Sequence, residues 1–273
     1  MKRVKDELRE MNVSPQKNRG QNFLIDPSVI RDTLAFASLR GEEKIVEIGP
    51  GLGALTEVLY GRGELTLIEI EKAFCEQLQR RFPKAHVICQ DVRKVDFSLL
   101  GEHLLVFGNL PYAFSSEIVF HLINEAAVLD RAVLLLQKEF VERMTSQPGG
   151  RIYGALSIGC QLLADCRRGP VVRGDAFHPP AQVESQLVEL TFLKEPRFPV
   201  ADPRWFRALV RAAFSGRRKM LANSLKGLLR KDIDEVRAAL RDAGIDPSRR
   251  AETLSVEEFA RLAAVLGPPS PPG

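Results

Sequence analysis

Short apolar, β-branched runs alternate with segments of helical spacing from Lys44 to Phe192. Lys44–Ile48, Leu65–Ile70, His86–Gln90, Leu104–Gly108 and Ala132–Leu136 are bounded by turn residues and predict strands. Between them, a stretch ending near Tyr60, Lys72–Arg81 and Ser116–Glu125 predict helices. This alternation predicts an α/β fold: a Rossmann-like, doubly wound, mostly parallel sheet with helices on both faces. A helix at about Tyr153–Ala164 and an alternating strand at Val183–Phe192 are expected to complete the sheet.

The pattern breaks at Lys194–Pro203, where three prolines fall within eight residues and predict a linker. Beyond it the spacing is helical throughout, interrupted at Ser215-Gly216 and Gly244–Pro247. The expected organisation is a basic N-terminal extension (1–20), a main domain (21–194), a linker (195–203), a small all-helical domain (204–266) and a disordered tail (267–273). The chain contains no internal repeat.

Composition is that of a globular protein, with 45% hydrophobic and 27% charged residues. No apolar run is long enough to span a bilayer, and Met1–Glu10 is charged rather than a secretory signal. Cys75, Cys89, Cys160 and Cys166 have no C-x-x-C spacing and read as small buried thiols. A soluble, cytoplasmic protein is expected, and a monomer, since no oligomer seam is evident. The net charge of +4 is unevenly placed. Pro203–Gly273 holds 14 Lys and Arg against 8 Asp and Glu, and Pro203–Lys231 holds nine basic residues and no acid. Solvated helix faces usually mix signs, so this run points to a polyanion partner.

Glu47-Ile-Gly49-Pro-Gly51-Leu-Gly53 stands between the first strand and the first helix of the sheet. Glycines there allow a tight turn and close approach of a ligand to backbone. Glu69, at the end of the second strand, stands where an acid can accept hydrogen bonds from two ribose hydroxyls. Nicotinamide dinucleotides and S-adenosylmethionine both use such loops. The G-x-G-x-G spacing and the preceding acid, Glu47, favour the latter, whose amino acid moiety is cationic. Asp91, after the third strand, can take an adenine amino group in the same crevice, although an ordinary turn aspartate is an equal reading.

Asn109-Leu110-Pro111-Tyr112 follows the fourth strand, on the edge where open α/β sheets bind ligands. The exocyclic nitrogen of adenine is a poor nucleophile because its lone pair is conjugated into the ring. The Asn109 side-chain oxygen and a backbone carbonyl held by the Leu110-Pro111 link can accept its two protons and orient it toward a methyl donor. Tyr112 offers a ring on which an extruded base can stack. The histidines and cysteines form no ligand cluster, and this chemistry needs no metal.

These residues resemble those of the KsgA-type ribosomal RNA adenine dimethyltransferases, over essentially the whole chain. Gly20–Asp26, Val46–Gly53, Ile68-Glu69, Asp91 and Phe107–Tyr112 are similar to successive motifs of that family, as are Leu135–Glu139, Tyr153–Ser157 and Phe177–Val183. Phe214–Lys219 and Asn223–Leu225 match its C-terminal helical domain. Gln182 and Asn18 depart from the pattern without touching the inferred chemistry. The resemblance implies cofactor contacts at Asn22 and Leu24 and a second stacking wall at Phe177, which by itself reads as a core residue. It also implies dimethylation at N6 of two adjacent adenosines near the 3′ end of small-subunit (16S) rRNA, in an immature 30S particle, with a role in subunit biogenesis. Arg217, Arg218 and Lys219 are the candidates for phosphate contacts. The alternatives are a macrolide-resistance-type methyltransferase of a large-subunit rRNA adenine, a nicotinamide oxidoreductase, and an assembly factor whose catalysis is secondary.

Overall fold

The computed structural model describes residues 2–11, 22–216 and 219–268. Its strands are β1 (Phe23–Leu24), β2 (Glu43–Ile48), β3 (Gly63–Glu69), β4 (His86–Cys89), β5 (Leu104–Asn109), β6 (Leu129–Gln137), β7 (Ala164–Val172), β8 (Phe177–His178) and β9 (Ser185–Phe192). The main sheet runs β4-β3-β2-β5-β6-β9-β7, and β1 pairs with β8 in a small sheet of their own. All pairs from β4 to β6 are parallel, whereas β9 is antiparallel to both β6 and β7. The sheet is therefore mostly parallel, as expected, with an antiparallel end.

The expected strands are present with shifts of a few residues at their ends. In β5 the five residues before Asn109 are all buried, as a central parallel strand requires. Strand β7 has no counterpart in the expectations. Its Cys166-Arg-Arg-Gly-Pro170 stretch reads as a loop, but an edge strand tolerates charge and proline that a central one does not.

Helices α1 (Lys2–Glu10), α2 (Pro27–Ala37), α3 (Thr56–Leu59), α4 (Lys72–Arg81) and α5 (Ser115–Asn124) belong with this sheet. Helix α4 has the expected bounds and buries Phe74, Cys75 and Leu78. Helix α1 lies where only a basic extension is expected, yet Val4, Leu8 and Met11 recur at helical spacing, and Leu8 is buried with Leu24 and Val29 in the core. The helix expected to run to Tyr60 contracts to α3, because residues 51–55 form turns instead.

The chain divides into two compact units, and the division corrects the expected 21–194 domain. One unit holds the residues up to Val141 and Ala164–Leu193; the other combines Glu142–Leu163 with the chain from Lys194 onward. Helix α6 (Lys138–Met144) carries the chain across this division, and α7 (Ala155–Leu163) brings Ile158 and Leu162 into the second unit's core. That core is completed by α8 (Pro203–Ala213), α9 (Leu221–Leu229), α10 (Ile233–Asp242) and α11 (Val256–Leu266). Asp202, Asp232 and Ser255 cap the N-termini of α8, α10 and α11, the latter two as capping boxes with Glu235 and Glu258. The expected disordered tail falls mostly outside the described residues.

Candidate active site

The strand order reverses between β2 and β5, where the chain passes from building one half of the sheet to the other. Ligands of open α/β sheets bind outside the carboxyl ends of strands at such a point. The registers Ile48↔Ile68 and Ile48↔Gly108 bring the ends of β2, β3 and β5 level. A cavity of about 620 Å³ opens there. It is lined by Asn22, Leu24, Glu47, Gly49, Gly51, Glu69, Asp91, Asn109, Leu110, Pro111 and Tyr112. The structure thus brings together residues separated by up to ninety positions of chain.

The glycine loop is built for close approach. Gly49, Gly51 and Gly53 have φ values of 65°, 54° and 81°, a region unfavourable to side-chain-bearing residues. A Cβ on Gly51 would stand 3.1 Å from the Phe23 ring. Arg81 anchors the same loop, donating through Nη1 to the Leu52 carbonyl at 2.9 Å and pairing with Glu57 at 2.8 Å.

Two carboxylates lie almost wholly inside the fold. Glu47 is 3% and Glu69 5% exposed, and neither has a salt bridge among the described residues. Thr56 Oγ1 donates to Glu47 Oε2 at 2.7 Å, but burial dominates and lifts the Glu47 carboxyl from 4.5 to about 8. Glu69 accepts from the backbone N–H groups of Gly51 (3.1 Å), Ile70 (2.8 Å) and Glu71 (2.9 Å). Burial still pushes its carboxyl above the ordinary range, against the pull of these donors. Two buried acids without cationic partners form a cavity end suited to a ligand bearing positive charge and hydroxyl groups.

At the other end, Asn109 Nδ2 donates to the Asn22 carbonyl at 2.9 Å. This bond orients the amide and leaves Oδ1 as its acceptor. The Leu110 N–H is bonded to the Leu135 carbonyl, and the Pro111 carbonyl takes Phe114 N–H and Ser115 Oγ. The intervening Leu110 carbonyl is thereby held between two anchored peptides. Tyr112 Oη lies 2.6 Å from the buried Ser185 Oγ, and burial raises the phenol's pKa.

Phe177 is not brought to the cavity. It is 1% exposed, packed in the core, and its backbone pairs with Leu24 across β1 and β8. The second wall expected there is corrected by this placement. Lys219 is exposed, whereas Arg217 and Arg218 lie outside the described residues, as do Asn18 and Gly20. Gln182 follows β8 in the first unit.

Several lining residues escaped the sequence reading. Ile70 is 48% exposed beside Glu69, and Val92 and Phe114 also line the cavity. Arg93 holds Asp91 through Nε at 3.0 Å and Nη2 at 2.6 Å. The signal for Ile70 and Val92 was their place directly after the two acids, where an apolar face can meet a flat ring. Among the described residues, no group of three or more His, Cys, Asp or Glu could hold a metal ion, and no helix is long and apolar enough to cross a membrane.

The family model described as ribosomal RNA adenine dimethylase matches residues 13–267. The chain belongs to that family. It is 43% identical to the ribosomal RNA small subunit methyltransferase A of Syntrophotalea carbinolica, with 94% of this chain and 99% of that one covered. It is 40% identical to the protein of that name from Pseudomonas aeruginosa, over 92% and 94% of the two chains. A crystal structure of a dimethyladenosine transferase from Plasmodium falciparum shares the fold at a TM-score of 0.77, with 23% identity and 89% and 96% coverage. That of the 23S rRNA methyltransferase ErmE gives 0.67 and 26%, over 90% and 99%. The family member described here therefore has the class I methyltransferase fold.

Proposed function

We propose that this protein uses S-adenosylmethionine to dimethylate N6 of two adjacent adenosines near the 3′ end of small-subunit (16S) rRNA, within an immature 30S particle. The observation that carries this reading is Asn109, whose Nδ2 is committed to Asn22 and whose Oδ1 is thereby an acceptor at the cavity. Together with the Leu110 carbonyl it offers two acceptors to one exocyclic amino group. Holding both protons directs the nitrogen lone pair out of conjugation as the new bond forms. Tyr112 provides the stacking face for the extruded base, its hydroxyl tethered by Ser185. The proton lost from nitrogen leaves to water, and no protein base or metal is assigned to it.

S-adenosylmethionine, when bound, supplies a methyl group on a positively charged sulfur. The residues fit that cofactor. Glu47 faces its cationic amino acid portion, with Asn22 and Leu24 alongside, and Gly49 and Gly51 give it backbone. Glu69 takes the ribose hydroxyls, Asp91 the adenine amino group, and Ile70 and Val92 offer apolar surface to the adenine faces. Because Glu47 is raised by burial, bringing a cation beside it ionises it and releases a proton.

Lys219, with Arg217 and Arg218, is the proposed phosphate-contacting group of the second unit, and the acid-free run around it supplies sequence-independent attraction to rRNA. The protein is proposed to act as a cytoplasmic monomer and to serve small-subunit biogenesis as well as methylation. Relatives named for the small subunit match at 43% and 40%, against 26% for the large-subunit enzyme, which favours the small-subunit substrate. The test is Asn109→Ala: methylation is abolished while binding to immature small subunits persists. Retained methylation would overturn the role given to Asn109, and loss of particle binding would contradict separable catalytic and assembly roles.

A further inference from the structure

Asp91 and Glu117 are twenty-six residues apart, on different elements, yet one side chain holds both. Arg93 sits in a short 3-10 turn, Val92–Lys94, that follows β4 and has Asp91 as its cap. Its backbone N–H donates to Asp91 Oδ1 at 3.0 Å. Its Nε is shared between Oδ1 at 3.0 Å and Oδ2 at 3.1 Å, and Nη2 donates to Oδ2 at 2.6 Å. Its Nη1 donates to Glu117, in the first turn of α5, the helix that directly follows the Asn109–Tyr112 motif. The guanidinium carbon lies 4.8 Å from the centroid of the Phe114 ring, and both residues line the cavity. A lysine could not reproduce this fork, because a single ammonium cannot hold one carboxylate edge-on and reach another.

The Asp91 carboxylate offers about four lone-pair sites. Three donor groups of Arg93 make four contacts with it, Nε–H being shared between the two oxygens. The guanidinium thereby fixes the orientation of the acid at the cavity, and a cofactor amino group meets an oxygen that these donors already hold in place. Burial of Asp91 is incomplete, with its side chain 18% exposed, so an unheld carboxylate would be free to rotate toward water.

We propose that Arg93 is a positioning residue for cofactor binding: it bridges Asp91 to Glu117, so that affinity for S-adenosylmethionine depends on Glu117, a residue outside the cavity lining. This rests on the reading of the cavity as an S-adenosylmethionine site with Asp91 at the adenine. The bridge thus ties the turn after β4, at the Asp91 end of the cavity, to the start of α5, the helix that follows the catalytic turn. An ordinary surface ion pair is worth little, and Glu117 by itself is 56% exposed. Its expected influence comes from completing the fork on Arg93.

The test measures S-adenosylmethionine affinity by calorimetry, together with KM and kcat on immature small subunits, for wild type, Arg93→Ala, Arg93→Lys, Glu117→Gln, Asp91→Asn and the Arg93→Ala/Glu117→Gln double variant. Arg93→Ala and Glu117→Gln are each expected to weaken cofactor binding about three- to tenfold, with Glu117→Gln the smaller, since each removes charge-assisted hydrogen bonds. The double variant is expected to bind no more weakly than Arg93→Ala, and the losses should fall on cofactor KM more than on kcat. Arg93→Lys should recover only part of the loss, and unchanged melting temperatures would exclude simple unfolding. Unaltered affinity in Glu117→Gln, or losses that multiply in the double variant, would overturn the bridge. If Asp91→Asn binds the cofactor as wild type does, the adenine assignment fails and the bridge's role with it. If wild type fails to bind, the methyltransferase reading itself fails.

Discussion

Replacing Glu47 by glutamine tests the electrostatics of the cavity, because the sign of its effect on stability is expected to reverse with pH. Glu47 is 3% exposed, and its carboxyl is raised from 4.5 to about 8, by burial first, against the opposing Thr56 hydrogen bond and with added repulsion from Glu69. At 1.36 kcal/mol per pH unit, that difference corresponds to about 5 kcal/mol between the two protonation states. A folded-state pKa above the unfolded value means stability that is fully present below about pH 4.5 and lost as pH rises through about 8. Glutamine cannot ionise, and its carbonyl can still accept from Thr56 Oγ1, the bond that is 2.7 Å in wild type. Its new amide hydrogens enter a buried site without assigned acceptors, at a cost of about 1–3 kcal/mol. Glu47→Gln should therefore be about 1–3 kcal/mol less stable than wild type at pH 5 and about 2–4 kcal/mol more stable at pH 9. Urea unfolding of the cofactor-free protein across pH 5–9 measures this directly. Parallel pH dependences for the two proteins would refute the reasoning. In wild type, cofactor affinity should also rise from pH 6 to pH 8, as the ionised carboxylate that receives the cation becomes populated, and this rise should vanish in the variant.

Four further substitutions, at three positions, probe separate parts of the structure. Gly51→Ala should cost about 1–2 kcal/mol for the left-handed backbone alone, with a further loss as its Cβ meets the Phe23 ring; melting and cofactor titration would both register it, and a wild-type profile would contradict the close approach. Tyr112→Phe should lose about 1 kcal/mol, since the buried Ser185 hydroxyl loses its partner, yet keep the stacking ring and most of kcat, whereas Tyr112→Ala should lose the activity; equal losses in both would argue against stacking. Tyr153→Phe in the second unit should be neutral or stabilising by about 1 kcal/mol, because the buried Tyr153 hydroxyl has no hydrogen-bond partner among the described residues; a loss comparable to that of Tyr112→Phe would show a missing partner.

Strands β2, β3, β5 and β6 were legible in the sequence because most of their residues are buried and read as apolar runs, whereas β4, at the sheet edge with no buried residue, was marked by its β-branched run between turns. Glu47–Gly53, Glu69, Asp91 and Asn109–Tyr112 were legible because each stands at the carboxyl end of a strand, whereas Asn22 and Leu24 are marked only by the family resemblance. What escaped has physical reasons. Strand β7 lies at the edge, where one face meets water, and Arg167, Arg168 and Pro170 erase its alternation. The second unit's use of Glu142–Leu163 escaped because no local composition change marks residues that leave one core and join another 31 or more positions later. Phe177 stands in a motif whose pattern implied a stacking ring, but a backbone pairing with Leu24 turns that ring into the core. Arg93 carries no signal of its own in the sequence, because Asp-Val-Arg-Lys reads as a solvated turn. Only the fold places Glu117 and Phe114 against it.

The central claim is most directly tested by incubating the protein with methyl-labelled S-adenosylmethionine and, separately, immature small subunits and large-subunit precursors, then digesting the RNA and identifying the labelled nucleosides. The account predicts N6,N6-dimethyladenosine at two adjacent positions near the 3′ end of small-subunit rRNA, and none in large-subunit rRNA. Label confined to large-subunit rRNA, or no transfer to either, would contradict it.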